Sequence, residues 1–222
     1  AQKKLNFTDS EMPHLIKGVR GTSSSQHTVE NLAKGILRAI FRLMVNKDGT
    51  IRVDLTELPL THFKPIEIGA SIEKLRELGY TKDTNGRELQ NEDQILELKV
   101  HDIILPICPE SLDERIDDVF VRVAAFVDNL LVRLYGLRPF YNVRGREELI
   151  GQLVVGLSPH TSVGVIGRII GFSSIQALYA HPIWHAAMRR DADGDETSLM
   201  LLLDCLINFS RQYLPAHRGA TQ

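Results

Sequence analysis

Seven apolar residues, Leu112, Ile116, Val119, Val123, Phe126, Leu130 and Leu134, recur at intervals of three or four positions. That spacing lays one continuous stripe along a helix and predicts an α-helix from about Leu112 to Tyr135. Ser111 stands at its N-cap position and Gly136 just past its end, residue types that suit those places. Asp113 and Glu114 in the first turn, with Arg133 in the last, complement the helix dipole. A helix this long with one apolar face must lay that face on other elements, so the remaining chain has to supply a core. The helix itself reads as scaffold.

The flanking sequence supplies both kinds of element. Through about Gly21-Thr22-Ser23-Ser24-Ser25 the chain is rich in glycine and serine and reads as irregular. A short helix fits Val29 to Leu37. Phe41 to Val45 and Ile51 to Leu55 read as strands joined by Asn46-Lys47-Asp48-Gly49-Thr50, with Asp-Gly as the turn signal. Ser71 caps a helix from Ile72 to Leu78 that Gly79 stops, and Asn85-Gly86 marks another turn. Ile95 to Val100 and Ile103 to Ile107 suit strands. Leu153-Val154-Val155 and Val163 to Phe172 are apolar but interrupted by Gly164, Gly167 and Gly171. Periodicity does not choose there between strand packing and a close helix contact. From about Ser198 to Tyr213 the chain is apolar nearly all round, which predicts a buried helix ended by Pro215. The pattern is mixed α+β, without internal repeats.

At 222 residues, 43% hydrophobic and 24% charged, the chain is long enough for one large domain or two modest ones. No apolar run reaches the roughly 18 residues that a membrane-spanning helix needs, and no signal peptide opens the chain. Cys108 and Cys205 match no zinc or redox spacing and read as buried thiols in a reducing, intracellular setting. The first residue is Ala1, which fits a piece of a longer chain. A formal net charge of −2 conceals an asymmetry. Between Leu131 and Arg190 stand seven arginines, no lysine, and only Glu147 and Glu148 as acids. Guanidinium forks suit phosphate oxygens, so this stretch fits either a local polyanion site or a solvated surface.

Directly after it comes Arg189-Arg190-Asp191-Ala192-Asp193-Gly194-Asp195-Glu196, with four carboxylates in six positions. On an extended or turning backbone alternate residues share a side, so Asp191, Asp193 and Asp195 are expected to converge, with Gly194 relaxing the backbone between them. Carboxylates brought that close repel unless a cation compensates. Hard oxygen donors without soft competitors favour Mg²⁺ or a similar ion. A simple Asp-Gly hairpin turn and a charged cap on the final helix fit the same residues. A calcium loop of EF-hand type does not, because Glu196 and Leu202 occupy the positions that require glycine and glutamate.

His181 and His185 stand four apart, but Pro182 replaces the glutamate of the zinc-protease pattern. They fit a hydrogen-bonded structural pair, or contacts to phosphate or base. There is no phosphate-binding glycine-lysine loop, and Ser158 and Ser162 lack a nucleophile signature.

Around the acidic run the chain resembles the large, catalytic subunit of the archaeal D-family DNA polymerases. The resemblance extends over Lys17-Gly18-Val19-Arg20-Gly21, Lys34-Gly35-Ile36-Leu37-Arg38-Ala39, Asp48-Gly49-Thr50-Ile51-Arg52-Val53-Asp54-Leu55-Thr56-Glu57 and Pro59-Leu60-Thr61-His62-Phe63-Lys64-Pro65. It continues through Gly156-Leu157-Ser158-Pro159-His160-Thr161-Ser162, Gly167-Arg168-Ile169-Ile170-Gly171-Phe172, Ala180-His181-Pro182, His185-Ala186-Ala187 and Arg189-Arg190. Beyond Asp193-Gly194-Asp195-Glu196 it takes in Leu201-Leu202-Leu203-Asp204 and Asn208-Phe209-Ser210-Arg211. Many short matches in order carry far more information than one acidic motif.

The resemblance implies a double-psi β-barrel catalytic core with packed helices, within a mixed α+β fold. Residues 1–110 would form a mixed segment, 111–136 the scaffold helix, and 137–222 the catalytic segment. It implies template-directed nucleotidyl transfer by two Mg²⁺ ions (Mn²⁺ as a substitute) bound by Asp193 and Asp195, with Asp191 as a third ligand. Arg168, Arg189 and Arg190 are the candidate phosphate contacts, followed by His181 and His185. Expected partners are primed DNA, deoxynucleoside triphosphates, a small exonuclease subunit in a heterodimer and a sliding clamp, in the cytoplasm. The segment alone is expected to be inactive. Asp191 stands where the family has asparagine, Ala192 where it has cysteine and Thr197 where it has a further acid, and the partner barrel's basic residues match no segment here. A metal-dependent nuclease and a non-catalytic DNA-binding or assembly module remain as alternatives.

Overall fold

From Ile116 onward the stripe that predicts the long helix is realised, and the strands close into a β-barrel. The structure, a computed structural model, describes residues 1–16, 19–20, 28–109, 114–159, 161, 163–191 and 193–210. Residues 21–25, Ser111, Leu112, Asp113, Ser162, Ala192 and the expected helix end at Tyr213 lie outside the described residues. The helices are α1 (Gln2–Leu5), α2 (Leu32–Ile40), α3 (Ile72–Glu77), α4 (Ile116–Asn129), α5 (Pro182–Ala187) and α6 (Leu202–Asn208). The strands are β1 (Val19–Arg20), β2 (Thr28–Val29), β3 (Val53–Pro59), β4 (His62–Phe63), β5 (Leu96–Glu97), β6 (Asp102–Pro106), β7 (Leu153–Leu157), β8 (Val165–Ser173), β9 (Leu178–Ala180) and β10 (Glu196–Leu201). They fall into two units, one drawn from Ala1–Arg52, Asp118–Arg146 and Met200–Gln222, the other from Val53–Asp117 and Glu147–Leu199.

In the first unit α4 buries Val119, Val123 and Phe126 of the stripe, and Leu130 just past its end is buried too. Glu114 precedes the helix, which starts at Ile116. The last part, Leu130–Tyr135, widens into a π-helix that ends on Gly136 in the left-handed conformation. Asp128 then gathers the returning chain, accepting the N–H groups of Phe140, Tyr141 and Asn142 at 2.7 to 2.9 Å. Helix α2 begins at Leu32 rather than Val29 because Asn31 Oδ1 caps it, accepting from Ala33 N–H at 2.9 Å. The expected strand from Phe41 to Val45 is absent: Arg42 takes a φ of +53° at the helix end and turns the chain away from an extended path. The Asn46–Thr50 turn does form, closed by the Asn46 N–H to Thr50 carbonyl bond at 2.9 Å. Beneath it Asp204 is fully buried, accepting from Ile51 N–H at 3.0 Å and Asn208 Nδ2 at 2.8 Å, while Asn208 Oδ1 accepts from Lys34 Nζ at 2.7 Å.

The second unit holds the barrel. Its closed order is β10-β3-β9-β6-β8-β7, with β3–β9 and β6–β8 parallel and β10–β3, β6–β9 and β7–β8 antiparallel. The glycine-interrupted runs are strands β7 and β8. At Gly171 a Cβ would fall 2.7 Å from the Ile68 side chain and carbonyl, so glycine lets that segment lie against the barrel wall. Gly156 does the same for Trp184, whose ring would meet a Cβ at 2.6 Å. The segment expected to open the final helix is strand β10, paired from Glu196 to Leu199 with Thr56 to Val53. A barrel strand buried on both faces carries the same continuous apolar run as a buried helix, and periodicity does not separate them. Cys108 and Cys205 are free and half-buried. Among the described residues no helix is long and apolar enough to cross a membrane.

Candidate metal and phosphate site

The acidic run is the connection from α5 to β10. Pro182 opens α5 at a position that needs no N–H, and His181 caps it, its Nδ1 accepting from Ile183 N–H at 3.2 Å. The helix ends with Arg189 N–H bonded to the Ala186 carbonyl at 2.9 Å and Arg190 N–H to the His185 carbonyl at 3.0 Å. These are the two bonds of a Schellman termination, which places one residue in the left-handed region and favours glycine there. Here that residue is Arg189, with a φ of +61° and an exposed side chain.

Asp191 and Asp193 follow, both exposed, then Gly194 with a φ of +103°, then half-buried Asp195. The Asp195 carbonyl accepts from Glu57 N–H at 2.9 Å, which extends the β3–β10 ladder to the edge of the loop. Two of the simpler readings fall away with this connectivity. A helix precedes the run, so Asp193-Gly194 is no hairpin turn, and a strand follows it, so the acids cap no helix.

Arg190 supplies the local countercharge, its Nη1 lying 3.4 Å from Asp195 Oδ2. The three aspartates do not form a ready-made cage: among the described residues no three histidine, cysteine or acidic side chains are arranged to hold a metal. The positive φ at Gly194 interrupts the alternation that would have stacked them, and like charges on one short loop repel. The donor set nevertheless fits Mg²⁺. That ion is usually held by one or two carboxylates together with water and substrate phosphates, rather than by an all-protein cage. A Cβ built on Gly194 meets nothing within 4 Å, so the loop tip is open on that side.

The other candidates divide. Arg168 is committed to Asp102, donating from Nε at 2.8 Å and Nη2 at 2.9 Å, with a further bond from Nη2 to the Leu78 carbonyl at 3.0 Å. Tyr80 donates to the same carboxylate at 2.5 Å. Burial, then the Asp102 charge, pushes the Tyr80 hydroxyl far above its usual range, and the hydrogen bond to Asp102 raises Arg168 further. His185 is fully buried, with Nε2 3.1 Å from the Leu58 carbonyl and Nδ1 3.1 Å from Glu57 Oε2. His181 and His185 are thus bonded separately rather than to each other. Thr197 is buried, its hydroxyl donating to the Leu157 carbonyl at 3.4 Å.

Glu57 escaped the sequence reading, although the signal was present. In Val53-Asp54-Leu55-Thr56-Glu57 the alternation of a strand puts Glu57 on the same face as Leu55. An acid on the core face is the anomaly that marks it, and both residues are buried.

A family described as the DNA polymerase II large subunit DP2, catalytic domain, matches residues 9–222. The DNA polymerase II large subunit of Nanoarchaeum equitans is 57% identical over 94% of this chain, and that of Archaeoglobus fulgidus is 57% identical over 96%. That of Methanocorpusculum labreanum is 51% identical over the whole chain. The chain spans 18%, 18% and 19% of the length of these three relatives.

Proposed function

Because the chain belongs to the catalytic-domain family of DNA polymerase II large subunits, we propose that it is the metal-bearing segment of a DNA-directed DNA polymerase. The observation that carries this reading is the Asp193-Gly194-Asp195 loop, pinned to the barrel edge at Asp195 and preceded by two arginines. The closed six-strand barrel is read as the double-psi type, with the loop at its rim.

Asp193 and Asp195 hold the catalytic ions in this reading, and Asp191 adds a third oxygen donor. Magnesium bound there supplies Lewis acidity at the primer 3′-hydroxyl and at the triphosphate in a two-metal transfer. The protein's own contribution is position and charge. Arg190 balances Asp195 before substrate arrives and is near enough to turn its fork to a phosphate oxygen. Arg189, exposed beside it, presents a second fork. The open side of Gly194 leaves room for substrate oxygens to complete the ion's coordination. Arg168, locked to Asp102, acts as a strut under the barrel rather than on the phosphates. Primed DNA and deoxynucleoside triphosphates are the substrates. The remaining large subunit, a small exonuclease subunit and a sliding clamp complete a cytoplasmic replication enzyme, and the segment alone is inactive.

Primer extension by the assembled polymerase tests the reading against a nuclease. Incubation with a labelled primer-template should lengthen the primer and release pyrophosphate only when deoxynucleoside triphosphates and Mg²⁺ are present. Shortening that needs this loop, without added nucleotide, would assign the carboxylates to hydrolysis.

A further inference from the structure

Strand β3 and helix α5 meet through a buried polar pair. Glu57 and His185 are each 0% exposed, and Glu57 Oε2 lies 3.1 Å from His185 Nδ1. The contact is close but poorly aligned: Nδ1 and both Glu57 carboxylate oxygens lack a hydrogen-bond partner. Since the Leu58 carbonyl only accepts, His185 Nε2 is the donor of that bond, and Nδ1 is the ring atom that faces the Glu57 carboxyl group. An apolar pair of similar volume would fill this space at less cost, because a buried carboxylate without hydrogen bonds is expensive. A buried unsatisfied group of this kind calls for a reason.

The reason lies in what the two backbones hold. Glu57 N–H donates to the Asp195 carbonyl at 2.9 Å, and the His185 carbonyl accepts from Arg190 N–H at 3.0 Å. Arg190 Nη1 then returns to Asp195 Oδ2 at 3.4 Å. These contacts and the Glu57–His185 pair form one closed circuit around residues 190–195. The side-chain pair thus links the two ends of the acidic loop, beside the β3–β10 ladder and the His185 Nε2 bond to the Leu58 carbonyl.

We propose that Glu57 and His185 are positioning residues for Asp195, clamping α5 to β3 so that the loop is held at both ends. The proposal rests on the metal-site reading above. It differs from a packing role because it is directional: loosening the pair frees the loop while leaving the barrel intact. Groups that orient metal ligands typically affect metal affinity by roughly 10- to 100-fold.

The test uses the full-length polymerase and Mn²⁺ alone as the probe, with affinity read from the resonance of free Mn²⁺ and loop order from amide hydrogen exchange. The Glu57→Leu/His185→Leu double variant should fold as stably as the parent, bind Mn²⁺ at least roughly tenfold more weakly, and exchange faster at residues 190–196. Glu57→Gln, whose amide can donate to Nδ1, should restore both readouts. A folded double variant with unchanged Mn²⁺ affinity and unchanged exchange overturns the proposal. If the double variant fails to fold, His185→Asn is read by the same two measurements with the same consequences. Mn²⁺ binding that survives Asp193→Ala/Asp195→Ala in an otherwise unaltered protein sinks the metal-site reading instead, and exchange alone then decides the clamp.

Discussion

Asp195 is tied through its backbone carbonyl to the N–H of Glu57, 2.9 Å away on strand β3. The last carboxylate of the loop is thus registered to the barrel, whereas Asp191 is exposed at the far end of the loop. Unequal anchoring should give unequal effects. Asp191→Asn keeps an oxygen donor and should lower primer extension by no more than roughly tenfold, the mild end of the range for groups that support a metal site. Steady-state extension at several Mg²⁺ concentrations checks this. A loss equal to that of Asp195→Ala would make Asp191 a full ligand.

Arg189 sits where a glycine would be relaxed, with a φ of +61°. The left-handed conformation costs a side-chain-bearing residue about 1–2 kcal/mol. Arg189→Gly should therefore stabilise the fold by about 1 kcal/mol in urea unfolding while weakening primer-template binding and its salt dependence. Opposite movement of stability and binding is the signature of strain kept for function. Stabilisation with unchanged binding would remove Arg189 from the phosphate contacts.

Asp102 is fully buried between Arg168 and Tyr80. Asp102→Ala leaves the guanidinium without its partner and should cost roughly 3–5 kcal/mol, as broken buried pairs do. Tyr80→Phe removes a single O–H bond and should cost about 1 kcal/mol. Chemical unfolding of both variants checks the ratio. A stable Asp102→Ala variant that has lost extension would return Arg168 to the substrate.

Asp204 gives the first unit a pH signature. Burial pushes its carboxyl above the ordinary aspartate range, outweighing Ile51 N–H, Asn208 and the nearby Arg38 and Lys34 charges. The folded state then binds the proton more tightly than the unfolded state. Its contribution to stability is full below the unfolded value of about 4 and is lost as pH rises through the folded value. The stability difference between wild type and Asp204→Asn should therefore shift against wild type as pH climbs from about 4 toward neutrality. A difference that does not vary with pH would contradict this.

Helices with a one-sided stripe or a clear cap were legible in the sequence. The α4 stripe from Ile116 to Phe126 and the Ser71 and Gly79 boundaries of α3 fell where the pattern put them. Strand β10 was not legible, because Leu199, Met200 and Leu201 are all buried and show no period. Nor was the missing strand after α2, which depends on the conformation of Arg42 rather than on its neighbours' polarity. At the site the acids stood out by spacing, but their environment did not. The partners of Asp195 and His185 lie on β3, more than 120 residues earlier, and only the barrel's closure brings them together.

If Asp193 and Asp195 hold the catalytic ions, as proposed, primer extension by the assembled polymerase depends on both, which Asp193→Ala and Asp195→Ala test. Each variant should fold normally and fail to extend a primer at any Mg²⁺ concentration. Full extension by either folded variant would contradict the assignment.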